Sequence, residues 1–324
     1  KDTSQVKRCW ALSEGSLLEL YKKIVEEKFT TVVFQFNYGF FDFSELNIII
    51  HKLVKINVKI IIFFHCTIDN KLLPAKSLNL LSQSLSSCSR LLVHTPSDMN
   101  RLKDIGLVDN VTLFSHGILD YNNSQNNARK SKKDLRKISK NINLSSFGFC
   151  LPNKGFPQLI KSIPILKKNG FEVKLDMLNA IYNDQYEWFF YEMLNLISSL
   201  NLQNEVTING NYLSNQESLD ILSNSDLIIF PYQSTNESSS AAVRHGLASG
   251  APVAVTPLPI FDDVSEVVHY LPGLSSIEIA EGVIKWITND HLEKSNREKW
   301  IDANRFSTLG IKLEGLIRSL EINE

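Results

Sequence analysis

DLIIFPYQSTNESSSAAVRHGLASG, residues 226–250, reads as one unit of a parallel α/β sheet. An apolar run of strand length, 226–230, stops at Pro231; a polar loop follows that carries Glu237, and the small residues Ser238, Ser239 and Ser240 open a helix expected over 239–249. A strand that is apolar on both faces belongs inside a sheet covered by helices on both sides. Small residues at a helix start leave backbone N–H groups and the positive end of the helix dipole accessible, which suits a diphosphate. An ordinary serine-capped helix with Glu237 in a capping role fits the same pattern.

The rhythm extends in both directions. Upstream, strands are expected over 31–36 (TVVFQF), 58–64 (VKIIIFF), 90–94 (RLLVH) and 111–114, with a helix near 45–55 and another opened by the capping run Thr95-Pro96-Ser97-Asp98. Residues 120–140, DYNNSQNNARKSKKDLRKISK, turn polar, Asn-rich and basic. This is the natural domain boundary, a solvated linker ending in a surface helix being a commoner use of such a run than a nucleic-acid patch. Beyond it strands are expected over 145–150, 172–178, 206–209, 226–230 and 252–255, separated by amphipathic helices over 156–168, 187–200, 217–223 and 239–249. The stretch 277–320 is helical by pattern. The expected organisation is a first domain over 1–120, a linker over 121–143 and a second domain over 144–324. Alternation with short loops favours doubly wound sheets, which bind ligands beyond the carboxyl ends of their strands.

Composition narrows the function. The 324 residues suit two α/β domains, and a formal charge of -1 argues against a nucleic-acid polyanion or an anionic membrane as partner. No apolar run approaches the about 20 residues of a membrane span, and no signal peptide is visible. The expected place is the cytoplasm, with peripheral association at the inner face of the membrane allowed. Cys9, Cys66, Cys88 and Cys150 lack any metal-ligand spacing and read as reduced core or near-core residues. Asp262 and Asp263 read as a helix cap, and no Asp-x-Asp metal motif stands in the second half, so no metal is expected.

Two further segments end strands of the second half. SSFGFCLPNKG, 145–155, presents Lys154 before a glycine and a helix, where its ammonium could meet phosphate oxygens; a solvent-facing lysine is the alternative. VTINGNY, 206–212, holds Gly210, which lets the backbone approach a flat ligand such as a nucleobase. The order Gly-x5-Lys-Gly, Val-x3-Gly, Asp-Leu-Ile-Ile-x-Pro, then Glu237 with Gly250 thirteen positions on and Ala-Pro-Val after it, resembles the donor domain of family 4 retaining glycosyltransferases. The match covers about residues 145–260; the first half is similar more loosely, through IIFFHCT ending at His65 and the SHG turn at Ser115 to Gly117.

The resemblance implies the GT-B fold: two Rossmann-like domains whose parallel sheets face an interdomain cleft. It implies a retaining, metal-independent hexosyltransferase of polysaccharide biosynthesis. Such an enzyme moves a sugar from a nucleoside-diphosphate sugar, its co-substrate, to a glycan or lipid-linked glycan acceptor. Glu237 then corresponds to the acidic residue that contacts donor-sugar hydroxyls, Lys154 to the phosphate-binding lysine and His65 to an interdomain histidine near the reacting centre, with a core histidine as its other reading. Ser238, Ser239 and Ser240 lie at the diphosphate, and Gly210 and Tyr212 at the base-binding turn. Phe149 stands where the family usually has arginine and His245 where it has a second glutamate, so a cation for the leaving diphosphate and an acceptor for the ribose are both missing; Arg244 could supply the charge. No Gly-rich strand-to-helix turn precedes FQFNYGFF, 34–41, so the first domain is expected to be reduced or the chain a fragment. Tyr38 and Gly39 are the candidate acceptor contacts. A sugar epimerase or phosphorylase could use the same architecture, although no lysine is marked for pyridoxal phosphate. The alternative from another class is a catalytically weakened glycosyltransferase-like module that binds or assembles within a larger polysaccharide-synthesising enzyme.

Overall fold

A computed structural model of the chain describes residues 3, 5–11, 15–70, 74–121, 140–288 and 296–322, so most of the expected linker lies outside the described residues. The chain forms two compact units: residues 1–116 with 236–239 and 310–324, and residues 117–235 with 240–309.

In the first unit, β1 (Thr31–Phe36), β2 (Lys59–Phe64), β3 (Arg90–Val93) and β4 (Val111–Leu113) form a parallel sheet in chain order. Parallel neighbours are joined by right-handed crossovers, and a monotonic strand order therefore puts every crossover on one face. Helices α2 (Phe43–Lys55), α3 (Ser82–Ser86) and α4 (Pro96–Asp104) accordingly bury Leu46, Ile49, Ile50, Leu53, Leu85 and Leu102 against Ile60, Ile62, Phe64, Leu91 and Val93, with α1 (Leu18–Glu26) adding Ile24. The opposite face would be left wet. It is covered from the far end of the sequence: Leu313, Leu316, Ile317 and Leu320 of α11 (Phe306–Ile322) pack on Val33, Ile61, Phe63 and Leu92. The part of α11 from Gly310 onward, expected with the second domain, thus packs on the first core, because the odd-numbered apolar residues of β1 and β2 have no crossover helix to cover them.

In the second unit, β5 (Asn141–Phe147), β6 (Glu172–Leu178), β7 (Val206–Asn209), β8 (Leu227–Phe230), β9 (Val253–Val255) and β10 (His269–Tyr270) form a parallel sheet of order β10-β9-β8-β5-β6-β7. One face takes α5 (Phe156–Lys168), α6 (Glu187–Ser199) and α9 (Ser276–Thr288), the other α7 (Asn215–Ser223), α8 (Ala241–Ala248) and α10 (Arg297–Ala303). Strand β5 lies earlier than the sequence pattern indicates, ending at Phe147, because Gly148 turns the chain at φ 122°. The two-residue β10 was not expected, being too short to carry a periodic signal. All four cysteines are free, and Cys66, Cys88 and Cys150 are buried. Among the described residues no helix is long and apolar enough to cross a membrane.

Candidate functional site

The strand order decides where a ligand can enter the second unit. The chain starts at β5, builds β6 and β7 on one side, then returns to place β8, β9 and β10 on the other. Loops leaving neighbouring strands at such a switch point diverge and open a crevice at their carboxyl ends. Those loops are 148–155 after β5 and 231–240 after β8.

The two loops are stitched together. Gly155 closes the Pro152–Lys154 turn in the left-handed conformation, φ 75°, and a Cβ there would stand 1.8 Å from the Pro231 carbonyl oxygen, so only glycine fits. The Gln233 N–H donates to the Asn153 carbonyl at 2.9 Å, and Asn153 Nδ2 donates to the Ser234 carbonyl at 3.0 Å. Lys154 holds its Nζ 3.8 Å from the centroid of the Tyr232 ring, a cation–π contact on a phenol that is 1% exposed. The Tyr232 hydroxyl in turn lies 3.1 Å from Ser240 Oγ, the N-cap of α8, which accepts the Val243 N–H. The lysine therefore lies over the face of one buried ring and the helix start at its hydroxyl. Gly148 brings the end of β5 to the same spot, since a Cβ on it would meet the Ala242 Cβ at 3.4 Å. The first amides of α8, those of Ala241 and Ala242, precede any intrahelical acceptor and point out of the helix start.

Other candidates occupy different surroundings. Arg244 is 2% exposed and ion-paired with Asp263, so its charge is already balanced. Asp263 was read as a helix cap; it instead answers the guanidinium inside the core, where an unpaired cation would be costly. His245 is also buried. Its ring stacks on Phe147 at 4.1 Å and 7°, its Nε2 lies 2.8 Å from Ser218 Oγ, and burial pushes its pKa down to about 4, leaving a neutral packing group. Gly210 is required by protein packing, because a Cβ would meet the Phe190 ring at 2.8 Å. Phe149 and Tyr212 are exposed and stacked with centroids 6.3 Å apart, while Tyr182, after β6, meets Phe149 edge-on at 5.0 Å. Three aromatic side chains thus gather at the carboxyl ends of β5, β6 and β7.

The remaining candidates lie in the first unit. The loop that carries Glu237 and Ser239 is held at Ser238: its N–H donates to the His65 carbonyl at 3.2 Å and its hydroxyl to Asp98 Oδ1 at 2.7 Å, while Cys66 Sγ donates to the Asn236 carbonyl at 2.8 Å. Asp98 is fully buried and also accepts from Thr67, Thr95 and Arg101. Burial alone would raise its pKa; the bonds from Ser238, Thr67, Thr95 and Arg101 outweigh that and hold the carboxyl below its usual range. His65 places Nε2 2.8 Å from Gln35 Oε1 and Nδ1 3.4 Å from His94 Nε2; burial lowers its pKa and the Glu237 charge partly restores it. Tyr38 donates to Asp69 at 2.6 Å, and burial followed by that bond pushes its phenol far up. Lys76 Nζ donates to the Tyr38 carbonyl at 2.6 Å, and the Gly39 N–H donates to Asn37 Oδ1 at 3.1 Å, so the loop after β1 is braced from both sides.

No protein-family model matches the sequence. No curated protein matches it either. Solved structures do. HepE of Anabaena, in complex with UDP, is similar at TM-score 0.72 and 14% identity over 93% of this chain and 82% of that one. A glycosyltransferase of Rickettsia africae is similar at TM-score 0.71 and 15% identity over 100% and 85%. The α,α-trehalose 6-phosphate synthase of Burkholderia multivorans gives TM-score 0.70 and 12% identity over 94% and 75%. The chain has the GT-B fold. At these identities the likeness establishes the GT-B architecture and not which residues act.

Tyr232, Asp98, Tyr182, His94 and His116 were not named as site residues in the sequence, although Asp98 stood in the capping run and His116 in the SHG turn. For Tyr232 the signal was an aromatic residue directly after a strand-ending proline. For Asp98 it was the capping run of α4, which does form a reciprocal Thr95–Asp98 box but hides the other partners of the carboxylate.

Proposed function

We propose that the chain is a glycosyltransferase that takes its sugar from a nucleoside-diphosphate sugar held at the crevice between β5 and β8. The observation that carries this reading is the Tyr232 bridge, which sets the Lys154 ammonium and the amide-rich start of α8 on one ring at a topological switch point. A pyrophosphate is the ligand that uses both features, a mobile point charge and converging N–H donors. Among the similar structures, HepE binds UDP and the Escherichia coli trehalose-6-phosphate enzyme binds UDP-2-fluoro glucose, which supports a uridine donor.

In the proposed transfer, departure of the nucleoside diphosphate leaves positive charge on the anomeric carbon, and an acceptor hydroxyl attacks from the face the leaving group vacates. The protein's task is to stabilise the departing anion and to orient the partners. Lys154, Ser239, Ser240 and the Ala241 and Ala242 amides would hold the diphosphate; Glu237 would take sugar hydroxyls; Phe149 and Tyr212, with Tyr182 beside them, offer aromatic faces at the base-binding turn. His65 stays a candidate for the reacting centre, and Tyr38 and Gly39 for a glycan or lipid-linked glycan acceptor. Arg244 and His245 act here through the packing of α8. Retention of configuration, a diphosphate held without metal and a place in polysaccharide synthesis at the cytoplasmic face belong to this proposal.

The test is release of UDP from a panel of UDP-sugars by the purified chain, with Lys154→Ala as the negative. UDP release that depends on Lys154 supports the transferase. The reading as a binding or assembly module is favoured by Arg244, whose charge is spent on Asp263. That module binds UDP-sugar and raises the melting temperature with it, but releases no UDP. Failure of every nucleotide sugar to shift the melting temperature overturns both.

A further inference from the structure

His65, His94 and His116 stand at the carboxyl ends of three neighbouring strands of the first sheet. The register pairs Phe64 with Val93 and Val93 with Leu113, which sets His65 beside His94 and leads the chain after β4 to His116. Alternation places His65 and His94 on the same face of the sheet as Phe63 and Leu92. The three rings lie with centroids 5.3 Å (His65 to His94), 5.9 Å (His65 to His116) and 5.0 Å (His94 to His116) apart, and one potential ligand atom from each falls within 4.8 Å of the others.

The hydrogen bonds fix which nitrogens face inward. His94 Nδ1 lies 3.0 Å from the Phe114 carbonyl, which only accepts, so that nitrogen carries the proton and Nε2 presents a lone pair. His65 Nε2 lies 2.8 Å from the Gln35 side-chain amide, which turns Nδ1 toward His94. These two inward nitrogens are 3.4 Å apart. One proton shared between these nitrogens makes them a hydrogen-bonded pair; a tetrahedral divalent ion with Zn–N bonds of about 2.0–2.1 Å spaces its ligand nitrogens by about 3.3 Å, fits the same separation and also takes a third imidazole. Ligating histidines usually pass their outer N–H to a carbonyl or carboxylate, the role Phe114 and Gln35 fill here.

We propose that His65, His94 and His116 form a binding site for a divalent transition-metal ion of the zinc type, with its fourth position open to water or to a hydroxyl or carboxylate oxygen. Imidazole donors with no thiolate or carboxylate among the three suit Zn2+, Co2+, Ni2+ or Cu2+ over Mg2+ or Ca2+. The three histidines lie wholly in the first unit.

The test is titration of the chelator-stripped full chain with Co2+ at fixed pH, followed by displacement with Zn2+. One Co2+ per chain with the intense visible bands of a tetrahedral site is expected. His116→Ala and His94→Gln should weaken binding by about a hundredfold or more, Gln35→Leu by about 10- to 100-fold, and His51→Ala not at all. Because His94 is buried and its variant could fail to fold, His116→Cys provides a second arm: Co2+ should still bind and gain a thiolate-to-metal charge-transfer band in the near ultraviolet. Absence of the visible bands in the wild type, or bands that survive the combined His65→Ala, His94→Gln, His116→Ala substitution in a chain that still melts cooperatively, overturns the proposal. UDP binding measured on the same samples reports separately on the second unit.

Discussion

Gly155→Ala tests the joint on which the donor crevice rests. The residue has φ 75°, a left-handed conformation that costs a residue with a Cβ about 1–2 kcal/mol. Its Cβ would also stand 1.8 Å from the Pro231 carbonyl oxygen. That neighbour is backbone at the end of a fully buried strand, so the turn must shift by more than an ångström, and such overpacking costs about 1–3 kcal/mol. The combined loss of about 3 kcal/mol corresponds to a fall in melting temperature of about 6–12 °C for a unit of this size. Gly170→Ala is the matched control: φ is 85°, but the nearest atom to its Cβ is the end of the Lys140 side chain at 3.2 Å, so it carries the conformational cost alone. Differential scanning calorimetry of the two variants reads the difference directly, and displacement of Lys154 from Tyr232 should weaken UDP binding only in Gly155→Ala. Equal melting temperatures for the two variants would refute the close approach of the turn to β8.

Lys154→Met should weaken UDP binding about tenfold by calorimetric titration, since a charged contact worth about 1.5–3 kcal/mol is offset by about 0.5–1 kcal/mol of cation–π attraction that Lys154 gives up on engaging phosphate; an unchanged Kd contradicts the assignment. Tyr232→Phe keeps the ring under the lysine but removes the hydroxyl beside Ser240, and should cost about 1 kcal/mol in urea unfolding. Asp98→Asn leaves donors from Ser238, Thr67, Thr95 and Arg101 around a weaker acceptor and should cost about 3 kcal/mol. Because the native Asp98 pKa is depressed, its contribution is present above the unfolded value of about 3.9 and is lost as pH falls through the native value, so the variant should show a shallower acid limb. His245, held neutral with a pKa of about 4 against about 6.5 when unfolded, should lower stability by up to about 3 kcal/mol as pH falls from 6.5 to 4; in His245→Leu that slope should vanish, and a slope that persists rejects the buried neutral imidazole.

Local chemistry made much of this protein legible in advance. The apolar and β-branched runs at 31–36, 172–178 and 206–209 are strands with the expected bounds, and the amphipathic run at 156–168 is α5, because strand-length runs of such residues and a helix buried on one face leave local patterns that need no tertiary knowledge. Loop chemistry was readable to the same depth: a glycine after Lys154 and serines before α8 are what a tight turn and a helix start require. The tertiary structure alone decided the partners. Nothing local distinguishes Arg244, whose charge is cancelled by Asp263 nineteen positions away, from a guanidinium that faces a ligand. Nothing local tells that His65, His94 and His116, spread over three strands, converge, or that α11 returns to cover the first sheet. Those facts follow from strand order and register, which are set by the summed burial of two whole cores; propensity and spacing act over a few residues and carry no information about which distant side chain will answer a buried charge or lone pair.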